Sequence, residues 1–161
     1  MQKNNRAPKR KEQNKMSEVP PILLSAIICE KVIFDKISGM PTLVNIIQAL
    51  NAPKFPVRSY QLVFFCELTN GHGRTKAKIR LVDDQQDEKV FFEQQRPIEF
   101  KDVKQTLTVA LNLQGLVLPH PGEYRFQLFA DEYLLGERRI VCRKIDLPSK
   151  NNQQYPGPGQ E

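Results

Sequence analysis

Apolar and polar side chains change places at every second position along much of the chain between Ile22 and Ile145, and this period constrains the fold more than any other feature. Successive side chains of a strand point to opposite faces, so a two-residue period buries one face and wets the other. The clearest case runs from Arg74 to Leu81. There Ala77, Ile79 and Leu81 point one way, while Lys76, Lys78 and Arg80 point the other. A helix needs apolar residues three and four apart, and no sustained stretch has them; only Asn45 to Leu50 passes for one helical turn.

Other runs repeat the pattern. Ala26 to Phe34 leads through Ser38-Gly39, a turn signal, into Thr42 to Gln48, which reads as a hairpin. Tyr60 to Thr69 places Leu62, Phe64, Cys66 and Leu68 on one face, and Asn70-Gly71-His72-Gly73 then supplies a tight connection. Val90-Phe91-Phe92 makes a short strand. Thr106 to Leu118 alternates with Leu107, Val109, Leu111 and Leu113 facing in, and Pro119-His120-Pro121-Gly122 turns the chain into Tyr124, Phe126 and Leu128. A last hairpin, through Asp131-Glu132, adds Leu134 to Ile145. Short strands at this spacing, with no βα alternation, predict an all-β fold: a two-sheet antiparallel β-sandwich, Ig-like or C2-like, of seven to eight strands.

Three segments follow from composition. Residues 1–21 read as a disordered basic tail, 22–147 as the sandwich domain, and 148–161 as a disordered Pro/Gly tail. The net charge is +6, but residues 1–15 carry six basic side chains (Lys3, Arg6, Lys9, Arg10, Lys11 and Lys15) against Glu12, six less one, or +5. The rest of the chain therefore nets only +1. Met16 offers an internal start from which the basic segment would be missing.

Cys29, Cys66 and Cys142 are far apart, odd in number and free of metal-ligand spacing, so they read as buried, reduced thiols. The run from Ile22 to Cys29 imitates a lipoprotein leader. Pro20-Pro21 precede it, however, Ile28 stands where a small residue belongs, and Glu30 and Lys31 interrupt it far short of a membrane span. A soluble, cytoplasmic protein with no membrane partner is the expectation.

Ile28-Cys29-Glu30-Lys31-Val32-Ile33-Phe34-Asp35, followed by a hairpin into Thr42-Leu43-Val44-Asn45-Ile46-Ile47, resembles the opening of a known family. The stretch from Pro121-Gly122-Glu123-Tyr124 to Asp131, followed by Leu135-Gly136-Glu137, resembles its close. The family consists of small bacterial β-sandwich domains of unknown function, and the resemblance covers residues 22–145. It implies a fold, and it assigns no functional residues.

Candidate sites are sparse. His72 and His120 both fall in Gly- or Pro-rich turns without a nucleophile motif, metal-ligand spacing or phosphate loop, and read as turn histidines exposed to water; a hairpin would allow His72 to meet Cys66 or Glu67. Asp83-Asp84-Gln85-Gln86-Asp87-Glu88 lacks the spacing of a Ca²⁺ loop and reads as solvated. The basic ribbon of Arg74, Lys76, Lys78 and Arg80 covers about 20 Å of one strand face and suits a polyanion. The same charges would equally protect a strand edge from aggregation. Arg138, Arg139, Arg143 and Lys144 strengthen the polyanion reading only if the last strand adjoins that ribbon. Each of the pairs Phe64-Phe65 and Phe91-Phe92 turns one ring outward.

No catalytic, metal or cofactor-binding residue emerges and no cofactor is implied. The expectation is a non-enzymatic binding module acting on a protein partner or on itself. A nucleic-acid-associated module is the alternative.

Overall fold

The computed structural model describes residues 19–58 and 61–146. The regular elements among them are strands: β1 (Ile22–Phe34), β2 (Pro41–Ile46), β3 (Ala49–Ala52), β4 (Val57–Arg58), β5 (Val63–Thr69), β6 (Gly73–Asp83), β7 (Lys89–Phe100), β8 (Leu107–Asn112), β9 (Val117–Leu118), β10 (Gly122–Ala130) and β11 (Tyr133–Lys144). The fold is all-β, as the period predicts. A four-stranded sheet runs β2-β1-β5-β8 and a five-stranded sheet runs β3-β11-β10-β6-β7, while β4 and β9 form a small third sheet. Among the described residues no helix is long and apolar enough to cross a membrane.

The two larger sheets share one core, because the alternation turns one apolar face of each toward the other. Ile28, Phe64, Cys66 and Leu68 come from the four-stranded sheet, and Ile79, Leu81, Phe126, Leu128 and Ile140 from the five-stranded one. The rings of Phe64 and Phe126 meet across the layers with centroids 6.2 Å apart. Two glycines let backbone and side chain close up. A Cβ on Gly136 would lie 2.6 Å from Leu23 Cδ2, and one on Gly71 would lie 2.3 Å from the ring of Phe100.

The structure departs from expectation in five places, each with a physical reason. Eleven strands are present among the described residues rather than seven or eight, because short bridges add to the long ladders. The pairing of β3 with β11 is parallel, since the chain crosses between sheets after β2 before it reaches that edge. Asn45 to Leu50 is no helical turn; Asn45 takes φ +52 and the chain passes from β2 to β3. Val90–Phe92 begins a twelve-residue strand that tolerates Pro97, because β7 pairs only with β6 and its other edge is open. The run from Thr106 to Leu118 divides into β8 and β9 around Gly115, whose φ of +74 ends the extended run. The expected tails fall outside the described residues apart from 19–21, as does Tyr60 at the start of the third run.

Candidate functional site

The ribbon is in place, but it is neither bare nor at an edge. Strand β6 has β10 on one side and β7 on the other. Edge protection therefore does not account for its lysines. Instead the flanking elements supply acids. Arg74 Nε is 3.5 Å from Glu99, Lys78 Nζ is 3.7 Å from Glu132, and Arg80 Nε is 2.5 Å from Glu93. Lys76 is exposed, and its backbone N–H donates to Asp131 Oδ1 at 3.0 Å. Lys78 is only 8 % exposed. Its ammonium and the Arg80 guanidinium lie 5.1 and 5.0 Å from the centroid of the Phe129 ring. A ring between two cations offsets part of their repulsion and removes both from easy reach of a ligand. The last strand does not adjoin the ribbon, since β10 lies between β11 and β6.

The acidic loop is not simply solvated. Its first member, Asp83, ends β6 and is fully buried. Strand register sets Asp83 opposite Tyr124, and its Oδ2 lies 2.7 Å from His120 Nε2. Oδ2 has no hydrogen-bond partner, so the two atoms are close without being aligned as a hydrogen bond. His120 Nδ1 approaches Pro121 O at 2.9 Å, and the Tyr124 hydroxyl donates to His120 O at 2.7 Å. Burial pushes the Tyr124 hydroxyl up to about 12, opposed by that bond to the His120 carbonyl and helped by the charges of Asp83 and Cys142. His120 is thus part of a closed corner and not a turn histidine exposed to water. His72 is exposed as expected. Among the described residues the His120 ring contacts Asp83, Gln86, Pro121 and Tyr124, so the two histidines form no common site and no cysteine or serine stands beside the ring as a nucleophile.

Asp84 and Glu88 turn instead to Arg125 on β10. Its guanidinium contacts Asp84, meets Glu88 at 2.7 Å, and forks onto both Glu137 oxygens at 3.0 Å. Hydrogen bonds to Glu88, Asp84 and Glu137 push its pKa upward. The guanidinium therefore occupies the space a cation would want. Among the described residues no group of three or more His, Cys, Asp or Glu side chains is arranged to hold a metal.

Cys29, Cys66 and Cys142 are free and buried. Burial pushes the Cys66 thiol up to about 12, with the Glu67 charge adding to it, and the Cys142 thiol up to about 11. A nucleophilic thiol needs the opposite shift.

The feature that sequence reasoning missed lies on the four-stranded sheet. The turn between β1 and β2 is built on Asp35, whose Oδ1 accepts from the backbone N–H groups of Ile37 and Ser38 at 3.0 and 2.7 Å and from the Ser38 hydroxyl at 2.8 Å. Gly39, at φ +69, closes the turn with a 2.9 Å bond to Asp35 O. These bonds hold the Asp35 carboxyl below its usual range, the Ser38 backbone bond contributing most. The same turn holds Ile37 98 % exposed and Met40 66 % exposed, next to exposed Ile33 and Phe34 at the end of β1. Ser38-Gly39 announced the turn, but nothing in the alternation said that its apolar residues would find no cover. The outward rings of the Phe pairs proved less open: Phe65 is buried and Phe91 half-buried, with Lys89 Nζ 5.2 Å from the Phe91 centroid.

A family model described as a family of unknown function (DUF6941) matches residues 24–143. The chain belongs to that family. The match runs from within β1 into β11, so it takes in both large sheets, the Asp35 turn and the Tyr124 corner. No curated protein matches the chain.

Proposed function

We propose that the domain is a non-enzymatic binding module that works through protein–protein contact or self-association. The observation that carries this reading is the Asp35 turn, which presents Ile37 and Met40 to water on a hydrogen-bonded frame. Exposed apolar side chains gathered at one site are a common mark of an interaction surface. A turn already fixed in shape loses little freedom when it docks.

The finer fold assignment belongs to the same reading. Two sheets over one core suit a sandwich of the Ig-like or C2-like kind, and Tyr124 supports the Ig-like variety. Near the start of its strand, it bonds back to the backbone four residues upstream, as the tyrosine corner of such domains does. The parallel β3–β11 pair is the element that fits least well. Three free thiols suit a reducing compartment, hence a cytoplasmic site of action.

The polyanion reading of Arg74, Lys76, Lys78 and Arg80 draws less support, since carboxylates already pair three of the four. Salt-dependent binding of DNA or RNA, lost on reversing Lys76 and Lys78, would restore it.

The test of the main reading replaces both Ile37 and Met40 by Ser. Light scattering over a range of concentrations, with partner retention on the immobilised chain, should show weaker association at unchanged thermal stability. Unchanged scattering and unchanged retention would remove the reading.

A further inference from the structure

The open edges of the two large sheets are not alike. A strand edge offers unpaired N–H and C=O groups to any other strand, and proteins commonly blunt it with charge, proline, bulges or shortness. Strand β7 carries Lys89, Glu93, Arg96, Pro97 and Glu99. Strand β3 has four residues. Strand β2 begins at Pro41 and is bent at Asn45, with φ +52. Strand β8, Leu-Thr-Val-Ala-Leu-Asn from Leu107 to Asn112, has no charge, no proline and no recorded bulge in its pairing with β5.

Which backbone groups it leaves open follows from its pairing. Leu113 N–H donates to Leu62 O at 2.8 Å in continuation of the β5–β8 register. Bonding groups alternate along an antiparallel strand, so Leu111, Val109 and Leu107 bond toward β5. Thr108, Ala110 and Asn112 then present N–H and C=O to the open side. The Arg96 guanidinium confirms this direction: reaching over from β7, its Nη1 donates to Ala110 O at a long 3.4 Å. Between the two edges lies a cleft of about 220 Å³, lined by residues 96–99 and 107–109. A side chain thus caps an edge that no strand of the described residues covers.

We propose that β8 is a self-pairing edge, closed in the monomer by Arg96 and occupied in the assembly by β8 of a second copy. The sequence of the strand argues for this occupant. Antiparallel pairing about a two-fold axis through Ala110 sets Ala110 opposite its own copy, Thr108 opposite Asn112, and Val109 opposite Leu111. Polar meets polar on the outer face, apolar meets apolar on the core side, and the three residues with free bonding groups face one another. A two-fold interface must be self-complementary in this way. The result joins two four-stranded sheets into one continuous sheet. The inference rests on the binding-module reading but uses a different part of the molecule from the Asp35 turn.

The test uses the full chain with Ala110→Lys and Ala110→Glu. Each variant sets like charges against each other at the two-fold axis, so each should lose the dimer that sedimentation of the wild type is expected to show. An equimolar mixture of the two should recover it. Arg96→Ala removes the cap and should shift dimerisation to lower protein concentration. On concentrating the wild type, the amides of Thr108, Ala110 and Asn112 should gain exchange protection, while that of Ile37 should not. This last measurement decides the matter even if a charged variant fails to fold. A dimer indifferent to both Ala110 variants, a mixture no better than its parts, or edge amides without added protection would overturn the proposal. A dimer lost on replacing Ile37 and Met40 but untouched at Ala110 would overturn it while leaving the binding-module reading intact. A chain monomeric at every concentration would overturn self-pairing alone, and partner retention would still decide the reading beneath it.

Discussion

The outer face of the five-stranded sheet and the outer margin of the four-stranded sheet handle exposure in opposite ways. On the first, opposite charges meet repeatedly across strands: Arg74 with Glu99, Arg80 with Glu93, Arg139 with Glu123, and Arg125 with three carboxylates. On the second, the Asp35 turn projects apolar side chains and β8 runs uncharged along an open edge. Charge pairing across strands satisfies a surface from within and leaves little to offer a partner. Apolar exposure and open backbone groups do the reverse. The contrast explains why the most conspicuous sequence feature, a line of cations, is not the most available surface.

The contrast has meaning only if both sheets belong to one cooperative body, and the strongest perturbation tests that condition. Phe126→Ala removes the ring that meets Phe64 across the layers. It should cost about 3–5 kcal/mol in denaturant unfolding, with exchange protection falling in both sheets together. Loss confined to β10 and its neighbours would mean that the sheets stand separately, and their outer faces would then need separate accounts.

An alkaline titration sharpens the same point with one reporter in one sheet and two in the other. Cys66 lies in β5, and Cys142 and Tyr124 in the five-stranded sheet. The fold holds the thiols neutral up to about 12 and 11, against 9.0 for an ordinary thiol, and the Tyr124 hydroxyl neutral up to about 12 against 10.0. An unfolded chain gives up these protons first. The stability they confer is complete below pH 9.0 and drains away as the pH rises through about 12. The loss from Cys66 alone is on the order of a few kcal/mol. Urea midpoints measured at successive pH values should fall over this window, and Cys66→Val should flatten the largest part of the slope. A stability that stays level above pH 9.0 would show that water reaches these groups.

Arg125 tests the paired face itself. Its side chain is 20 % exposed and anchors the loop from Asp84 to Glu88 onto β11 through Glu137. Arg125→Ala leaves three carboxylates converging on an empty place, and should cost about 1–3 kcal/mol, less at high salt. Crosslinking and denaturation at two ionic strengths would check both the size and the salt dependence. A cost below this range would mean that the outer face is less tied together than its distances suggest.

Much of this was legible beforehand, because period two is a local property. The inward sets Leu62, Phe64, Cys66, Leu68 and Ala77, Ile79, Leu81 are core residues, as their spacing said. Neighbour relations were not legible. Whether β6 lies at an edge depends on strands contributed by distant segments, and the alternation of β6 is the same in either case. Asp83 reads as one acid of four until register sets it against Tyr124 and brings His120 to it. Nor does any local pattern say that Arg96 will reach over to Ala110. The composition of β8 was visible all along, but its meaning required knowing which strand stands last in the sheet.

The smallest expected effect draws the comparison most finely. Arg74 is 70 % exposed along its side chain and 3.5 Å from Glu99, which is itself 56 % exposed. Water screens such a pair, so Arg74→Ala should change stability by less than about 0.5 kcal/mol. Replacing Ile37, 98 % exposed, should be equally silent in unfolding. Equal silence there makes the association measurement informative, because a difference between the two variants cannot be traced to folding. If the paired face is closed and the apolar margin open, Arg74→Ala leaves light scattering unchanged while loss of Ile37 and Met40 lowers it. If Arg74→Ala weakens association as much, the paired charges are themselves part of an interface and the two faces do not divide the work.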